Sequence, residues 1–136
     1  MNFFLAKTEP NTYSIGRFAQ DQQTVWDGVN NAQAVRAIRS MRPGDRVLIY
    51  HSGGESQIVG LAEVTSEPKD DPSNSKSAIV SLKFLRTLEP PTTLHEVKAS
   101  GMFGDFALVR QSRLSTMAVP ETFIDWLERR YSGLLR

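Results

Sequence analysis

The sequence predicts an α+β fold, a mixed or antiparallel sheet curled into a small barrel with helices packed around it. Three observations carry this. Some short segments are continuously apolar or alternate with period two, the pattern of strands, while others place apolar residues at three- and four-residue steps, the pattern of a helix face. Most strand segments are joined by short turns rather than helical crossovers, which argues against an all-parallel sheet. Finally, 136 residues with 40% hydrophobic and 23% charged side chains suffice for one domain, taken as residues 1–136, with a real core and no need of disulfides.

In chain order, the apolar run Phe3–Lys7 reads as a strand, stopped by Pro10. Ser14 is placed to cap a short helix over Ile15–Gln20. Thr24–Asn31 is turn-rich, with Asp27-Gly28 and Asn30-Asn31 as its signals. Val35, Ile38 and Met41 share one face of a helix over Ala32–Met41, which Pro43-Gly44-Asp45 breaks. Arg46–His51 and Gln57–Val64 read as successive strands around a Ser52–Glu55 loop, and Gly60 marks a bulge or a close backbone approach.

Residues 66–77, polar and rich in Pro, Ser and Asp, read as a surface loop. Ile79–Leu85 alternates cleanly, with Val80, Leu82 and Phe84 on one face, and Pro90-Pro91 is expected to end that segment. Thr93-Leu94-His95-Glu96 fits a capping box for a short helix closed by Gly101. Residues 102–111 are ambiguous between helix and loop. Ser112–Val119 reads as the last strand, and Pro120 suits the first position of a final helix whose inner face is Phe123, Ile124, Leu127 and Tyr131.

Composition narrows the function. Without cysteine there is no disulfide framework, thiolate zinc site, thiol nucleophile or iron–sulfur cluster. The N-terminus lacks a signal-type apolar region, and no stretch approaches the roughly 18–20 apolar residues of a membrane span. A cytoplasmic protein with no membrane partner is expected. A net charge of +1 offers no blanket grip on nucleic acid, but eleven Arg against five Lys favours recognition of planar anions such as phosphate.

Motifs for catalysis are lacking: no G-x-S-x-G, no H-E-x-x-H and no P-loop. His95 lies in the capping-box helix and reads as an exposed polar residue. His51 and Ser52 are neighbours on a strand and would point to opposite faces, a poor geometry for proton transfer. Gly53-Gly54 alone is a weak phosphate signal. Binding has better support. Gly28–Gly44 and Phe106–Pro120 contain no acidic residue and carry Arg36, Arg39 and Arg42, and Arg110 and Arg113. Two local positive zones in a near-neutral chain suit contact with a phosphate backbone, although a solvated charged face reads the same way. Trp26 offers a flat face for stacking on a base, or alternatively a plug for one end of the barrel.

Ordered motifs then carry a resemblance. Lys7-Thr8-Glu9-Pro10 resembles a K-[ST]-E-P element, and Trp26–Ala34 (WDGVNNAQA) resembles W-D-G-V-R-N-Y-Q-A. Gly44–Ser52 (GDRVLIYHS) resembles G-D-x-V-L-x-Y-H-S, and Ile58–Val64 (IVGLAEV) resembles I-V-G-I-A-E-V. Val80–Phe84 and Leu108–Ser115 follow in the expected order, so the match spans about residues 3–120. The chain resembles the EVE domain family. The resemblance implies a PUA-like pseudo-barrel flanked by helices, related to YTH readers of methylated adenine, with a pocket for a modified base in DNA or RNA.

Carried over by motif, the implied pocket residues are Lys7, Thr8, Trp26, Asn31, His51, Ser52 and Arg113, with Arg36, Arg39 and Arg110 as candidate backbone contacts. Asn30 stands where Arg is usual, Ala32 where Tyr is usual and Phe4 where Trp is usual. The expected function is a non-catalytic reader of a modified base, with nucleic acid as partner and no cofactor or metal. The alternatives are a nucleotide-processing enzyme using His51 or Lys7, and a protein-interaction module with a structural Trp26.

Overall fold

The computed structural model describes residues 1–136. The chain runs β1 (Phe3–Thr8), α1 (Ile15–Asp21), β2 (Gln23–Trp26), α2 (Ala32–Ser40), β3 (Arg46–His51), β4 (Gln57–Val64), β5 (Lys69–Asp71), β6 (Asn74–Thr93), α3 (Leu94–Ala99), α4 (Ala107–Arg110), β7 (Thr116–Val119) and α5 (Glu121–Tyr131). The helices start where the caps predict. Ser14 Oγ accepts from the Arg17 N–H, and Thr93 and Glu96 form a reciprocal capping box. Pro120 is the residue before α5 rather than its first helical position.

The strands form one seven-stranded sheet in the order β2-β6-β4-β3-β1-β7, with β5 paired to β6. β1 and β3 are parallel and every other pair is antiparallel. This is the expected α+β architecture, with the ladder left open: β2 and β7 end the path and do not pair with each other. Helix α2 packs on both β7 and β6. It buries Ala34, Val35 and Ile38, and Met41 follows them into the core. On α5, Phe123, Ile124, Leu127 and Tyr131 are buried as their spacing predicts.

Several expectations need correction. Residues 66–77 are not a plain loop, because Lys69–Asp71 and the start of β6 pair as a hairpin. Their side chains are mostly exposed, so the ladder forms without the apolar alternation that announces a strand. Thr24–Trp26 likewise belongs to a strand, paired to β6. Ambiguous residues 102–111 contain the short helix α4, and β7 starts only at Thr116. Pro90-Pro91 does not end β6. Gly60 pairs with Thr87 and Ile58 with Thr92, so Leu88–Pro91 bulge out opposite Val59 alone. Prolines are tolerated there because the bulge requires no ladder N–H from them.

Gly60 is both a bulge neighbour and a close approach. Register shifts beside it in both of its ladders, and a Cβ built on it would lie 2.2 Å from Ile15 Cδ1, 2.9 Å from Ile15 Cγ1 and 3.3 Å from the Arg86 carbonyl oxygen. The first residue of α1 thus rests on bare backbone at the centre of the sheet. Gly60→Ala is therefore expected to cost about 1–3 kcal/mol in urea unfolding, the usual penalty of overpacking. The penalty should shrink in an Ile15→Val background, which removes the closest atom; equal penalties in both backgrounds would show that the Ile15 contact is not its source.

Candidate functional site

A cavity of about 350 Å³ opens between the end of β1 and the edge strand β2. Lys7 and Thr8 enter it from β1, Thr12 and Tyr13 from the turn before α1, and Thr24, Val25 and Trp26 from β2. Asp27, Gly28 and Val29 supply the turn into α2, and Ser115 comes from the residue before β7. The volume lies at the small end of the range of ligand pockets, about 300–1,000 Å³.

Local bonds hold each wall. Thr8 Oγ1 donates to the Tyr13 carbonyl at 2.9 Å, and the Thr12 and Tyr13 N–H groups donate to the Glu9 carbonyl. The Lys7 N–H donates to the Ser115 carbonyl at 2.8 Å. On the opposite wall the buried Ser77 hydroxyl donates to the Val29 carbonyl, tying the turn to β6. Gly28 turns the chain with φ +73°, a left-handed conformation that suits glycine. Trp26 is only 9% exposed. Its aromatic neighbour Tyr13 sits 6.4 Å away at 78°, so no parallel ring occupies an indole face.

Lys7 brings the positive charge. Its Nζ donates to the Ser112 carbonyl at 3.0 Å and lies 5.4 Å from the centre of the Tyr50 ring. Burial lowers its pKa from the usual lysine value. Burial also raises the Tyr13 pKa, and the hydrogen bond its hydroxyl donates to Asp21 Oδ2 at 2.9 Å acts in the same direction, with Thr24 opposing.

The structure brings Lys7, Thr8 and Trp26 together, from segments far apart in sequence. The other implied pocket residues, Asn31, His51, Ser52 and Arg113, do not line this cavity. Asn31 is the N-cap of α2, its Oδ1 accepting from the Gln33 and Ala34 N–H groups at 2.8 and 3.1 Å. His51 Nε2 accepts from the Ile15 N–H at 3.0 Å, so it fixes the start of α1. Ser52, expected beside Trp26, continues the β1–β3 ladder through its N–H to the Thr8 carbonyl. Arg113 is exposed on the segment before β7. The sequence reading missed Thr12, Tyr13, Thr24, Val25, Asp27, Gly28, Val29 and Ser115 as lining residues. The one available signal was an aromatic Tyr13 in an otherwise polar turn.

The arginine zones are less open than their local sequence suggests. Arg39 pairs with Asp70 at 2.9 Å and donates to the Ser77 carbonyl, Arg42 reaches Glu67 at 3.8 Å, and Arg110 reaches Asp105 at 3.3 Å. The acids come from outside the two acid-free stretches. Arg36 and Arg113 are exposed and form no ion pair. No group of three or more His, Asp or Glu side chains could hold a metal ion, and no helix is long and apolar enough to cross a membrane.

The family model described as EVE domain matches residues 2–130. Thymocyte nuclear protein 1 of Rattus norvegicus is 29% identical over 162 aligned residues, covering 93% of this chain and 72% of its own length. The NMR structure of Rpa0253 from Rhodopseudomonas palustris superposes with a TM-score of 0.89 at 34% identity, over 100% of this chain and 96% of that one. The crystal structure of human THYN1 protein in complex with 5-methylcytosine-containing DNA superposes with a TM-score of 0.84 at 24% identity, over 93% and 95% of the two chains.

His51 serves as a hydrogen-bond acceptor only while neutral, and burial lowers its pKa below 6.5, with Glu55 opposing. Its contribution to stability is therefore complete above about pH 6.5, the unfolded value, and is lost as pH falls through the lowered folded value. An NMR titration should show the depressed pKa, and His51→Ala should flatten that part of the stability–pH curve. Asn31→Ala should cost about 1 kcal/mol in thermal or urea unfolding, the worth of an N-cap.

Proposed function

The chain belongs to the EVE domain family, and from that premise we propose that it is a non-catalytic nucleic-acid-binding domain that takes a modified base into the cavity beside Trp26. The observation that carries the reading is the joining of Trp26, Lys7 and Thr8 around one small concavity. The structural relative bound to 5-methylcytosine-containing DNA supports nucleic acid as the partner class.

The physical logic suits a flat ligand. Reading one base requires extruding it from its stack, at a few kcal/mol, into a pocket that stacks it and reads its edge. Trp26 and Val29 supply apolar surface, and burying one added methyl contributes about 0.8 kcal/mol. That is modest discrimination, so contacts to the phosphate backbone would supply much of the affinity without reading the base. Binding is favoured over turnover because the groups an acid–base role would use are engaged: Lys7 donates to a backbone carbonyl and His51 accepts from the start of α1.

A binding screen of modified against plain oligonucleotides tests the reading. Trp26→Ala should cost about 1–3 kcal/mol of binding, the worth of one base–aromatic stack, and should erase preference for the modified base while sparing the salt-dependent background. Because the ring is largely buried, truncation will also lower stability, by about 3–5 kcal/mol if it behaves as core. Base preference, measured on folded Trp26→Phe and Trp26→Ala, is therefore the deciding readout; unchanged preference in both overturns the reading. For the backbone, unpaired Arg36 and Arg113 should each contribute roughly 0.7–0.9 to the slope of log affinity against log salt. Arg39→Ala and Arg110→Ala should change it less, since Asp70 and Asp105 already partner them.

A further inference from the structure

β2, which lines the cavity, is an edge strand whose outer side carries free hydrogen-bonding groups, and register identifies them. β2 pairs antiparallel with β6, Thr24 opposite Leu82, Val25 opposite Ser81 and Trp26 opposite Val80. The same ladder continues one step outward with the Phe84 N–H donating to the Gln22 carbonyl. Antiparallel pairs alternate between hydrogen-bonded and non-hydrogen-bonded, so Gln22, Thr24 and Trp26 bond to β6 and Val25 does not. The other side of β6 agrees: the Ser81 carbonyl accepts from the Thr65 N–H, toward β4. The N–H and C=O of Val25 consequently point away from β6, at a strand that has no further neighbour and lines the cavity.

We propose that Val25 reads the edge of the bound base with its own main chain, its N–H donating to a ring acceptor and its C=O accepting from the adjacent donor. The inference rests on the base-binding reading and names the polar half of that same site. The base takes the place of the next strand, with Trp26 beside it. A compact heterocycle fits this edge better than a peptide strand does. β2 has only four residues, the chain turns away at Gly28, and Lys7, Thr8 and Ser115 close the far side of a cavity of about 350 Å³. The ligand class is a planar ring with a hydrogen-bond donor next to an acceptor. A methyl on a ring carbon leaves that edge intact, and one methyl on an exocyclic amine leaves one N–H. Two methyls on the amine remove the donor and should abolish the contact.

The experiment uses the full ¹⁵N-labelled chain with 5-methyl-2′-deoxycytidine and N6-methyl-2′-deoxyadenosine as probes, followed by NMR. The expected result is a saturable downfield shift of the Val25 amide together with the Trp26 indole N–H for at least one probe, lost with its N,N-dimethylamino analogue. Val25→Pro removes only an N–H that the ladder does not use, at an edge position where proline is tolerated. It should weaken binding about tenfold, the effect of one hydrogen bond. A shift at Trp26 without one at Val25, or full affinity in folded Val25→Pro, overturns this inference and leaves the base-binding reading standing. No shift at either residue overturns both.

Discussion

The parallel pairing of β1 with β3 is the constraint on which the rest of the molecule depends. Two parallel neighbours cannot be joined by a hairpin; the chain must leave the sheet and return. Here that crossover, residues 9–45, carries α1, β2 and α2, and it places β2 on the far side of β6 rather than beside β1. In a flat sheet β2 and β1 would lie four strand spacings apart, about 19 Å at about 4.8 Å each. Their side chains line one small cavity, so the sheet must curl. The curl stops short of closure, and the cavity is the seam between the two sides.

That origin explains why the site combines unlike groups. One wall is the end of an interior strand, where Lys7 and Thr8 emerge beside a tight turn. The other is an edge strand, whose backbone has hydrogen-bonding capacity to spare and whose last residue is an aromatic anchored in the core. The helices of the crossover stiffen both walls. α1 is held to the sheet by His51 at its N-terminus and by Ile15 seated on Gly60, and α2 starts at the Asn31 cap directly after the cavity turn. Asn31, His51 and Ser52, which the motif implies as pocket residues, each form a hydrogen bond that holds an element beside the cavity.

Charge follows the same pattern. Exposed arginine–carboxylate pairs contribute little to stability, commonly about 0–1 kcal/mol. Their consequence here is for function. The β5–β6 hairpin brings Asp70 to Arg39, and Glu67 just before β5 reaches Arg42, so one arginine of α2 and one just after it are paired by a segment distant in sequence. Arg36 keeps its charge unpaired on the same helix, and Arg113 does so close to the cavity's Ser115 in sequence.

Much of the fold was legible from the amino acids because its signals are local. Apolar spacing marked α2 and α5, continuous apolar runs marked β1, β3 and β4, and Thr93 with Glu96 declared the start of α3. Each depends on residues within one or two turns of each other. The ordered motifs likewise carried the family. Only tertiary structure decided what rests on partners. β2 and β5 exist as strands because β6 pairs with them, and the polar sequence of β5 held no period to reveal it. Pro90-Pro91 could continue β6 because Val59 faces a bulge there. The local sequence likewise could not separate Lys7, Thr8 and Trp26, which meet at a cavity, from Asn31, His51 and Ser52, which support its walls. All six have side chains fit for binding; which of them meet at a cavity is set by strand register and sheet curl, and those are properties of pairing between distant segments rather than of any one segment.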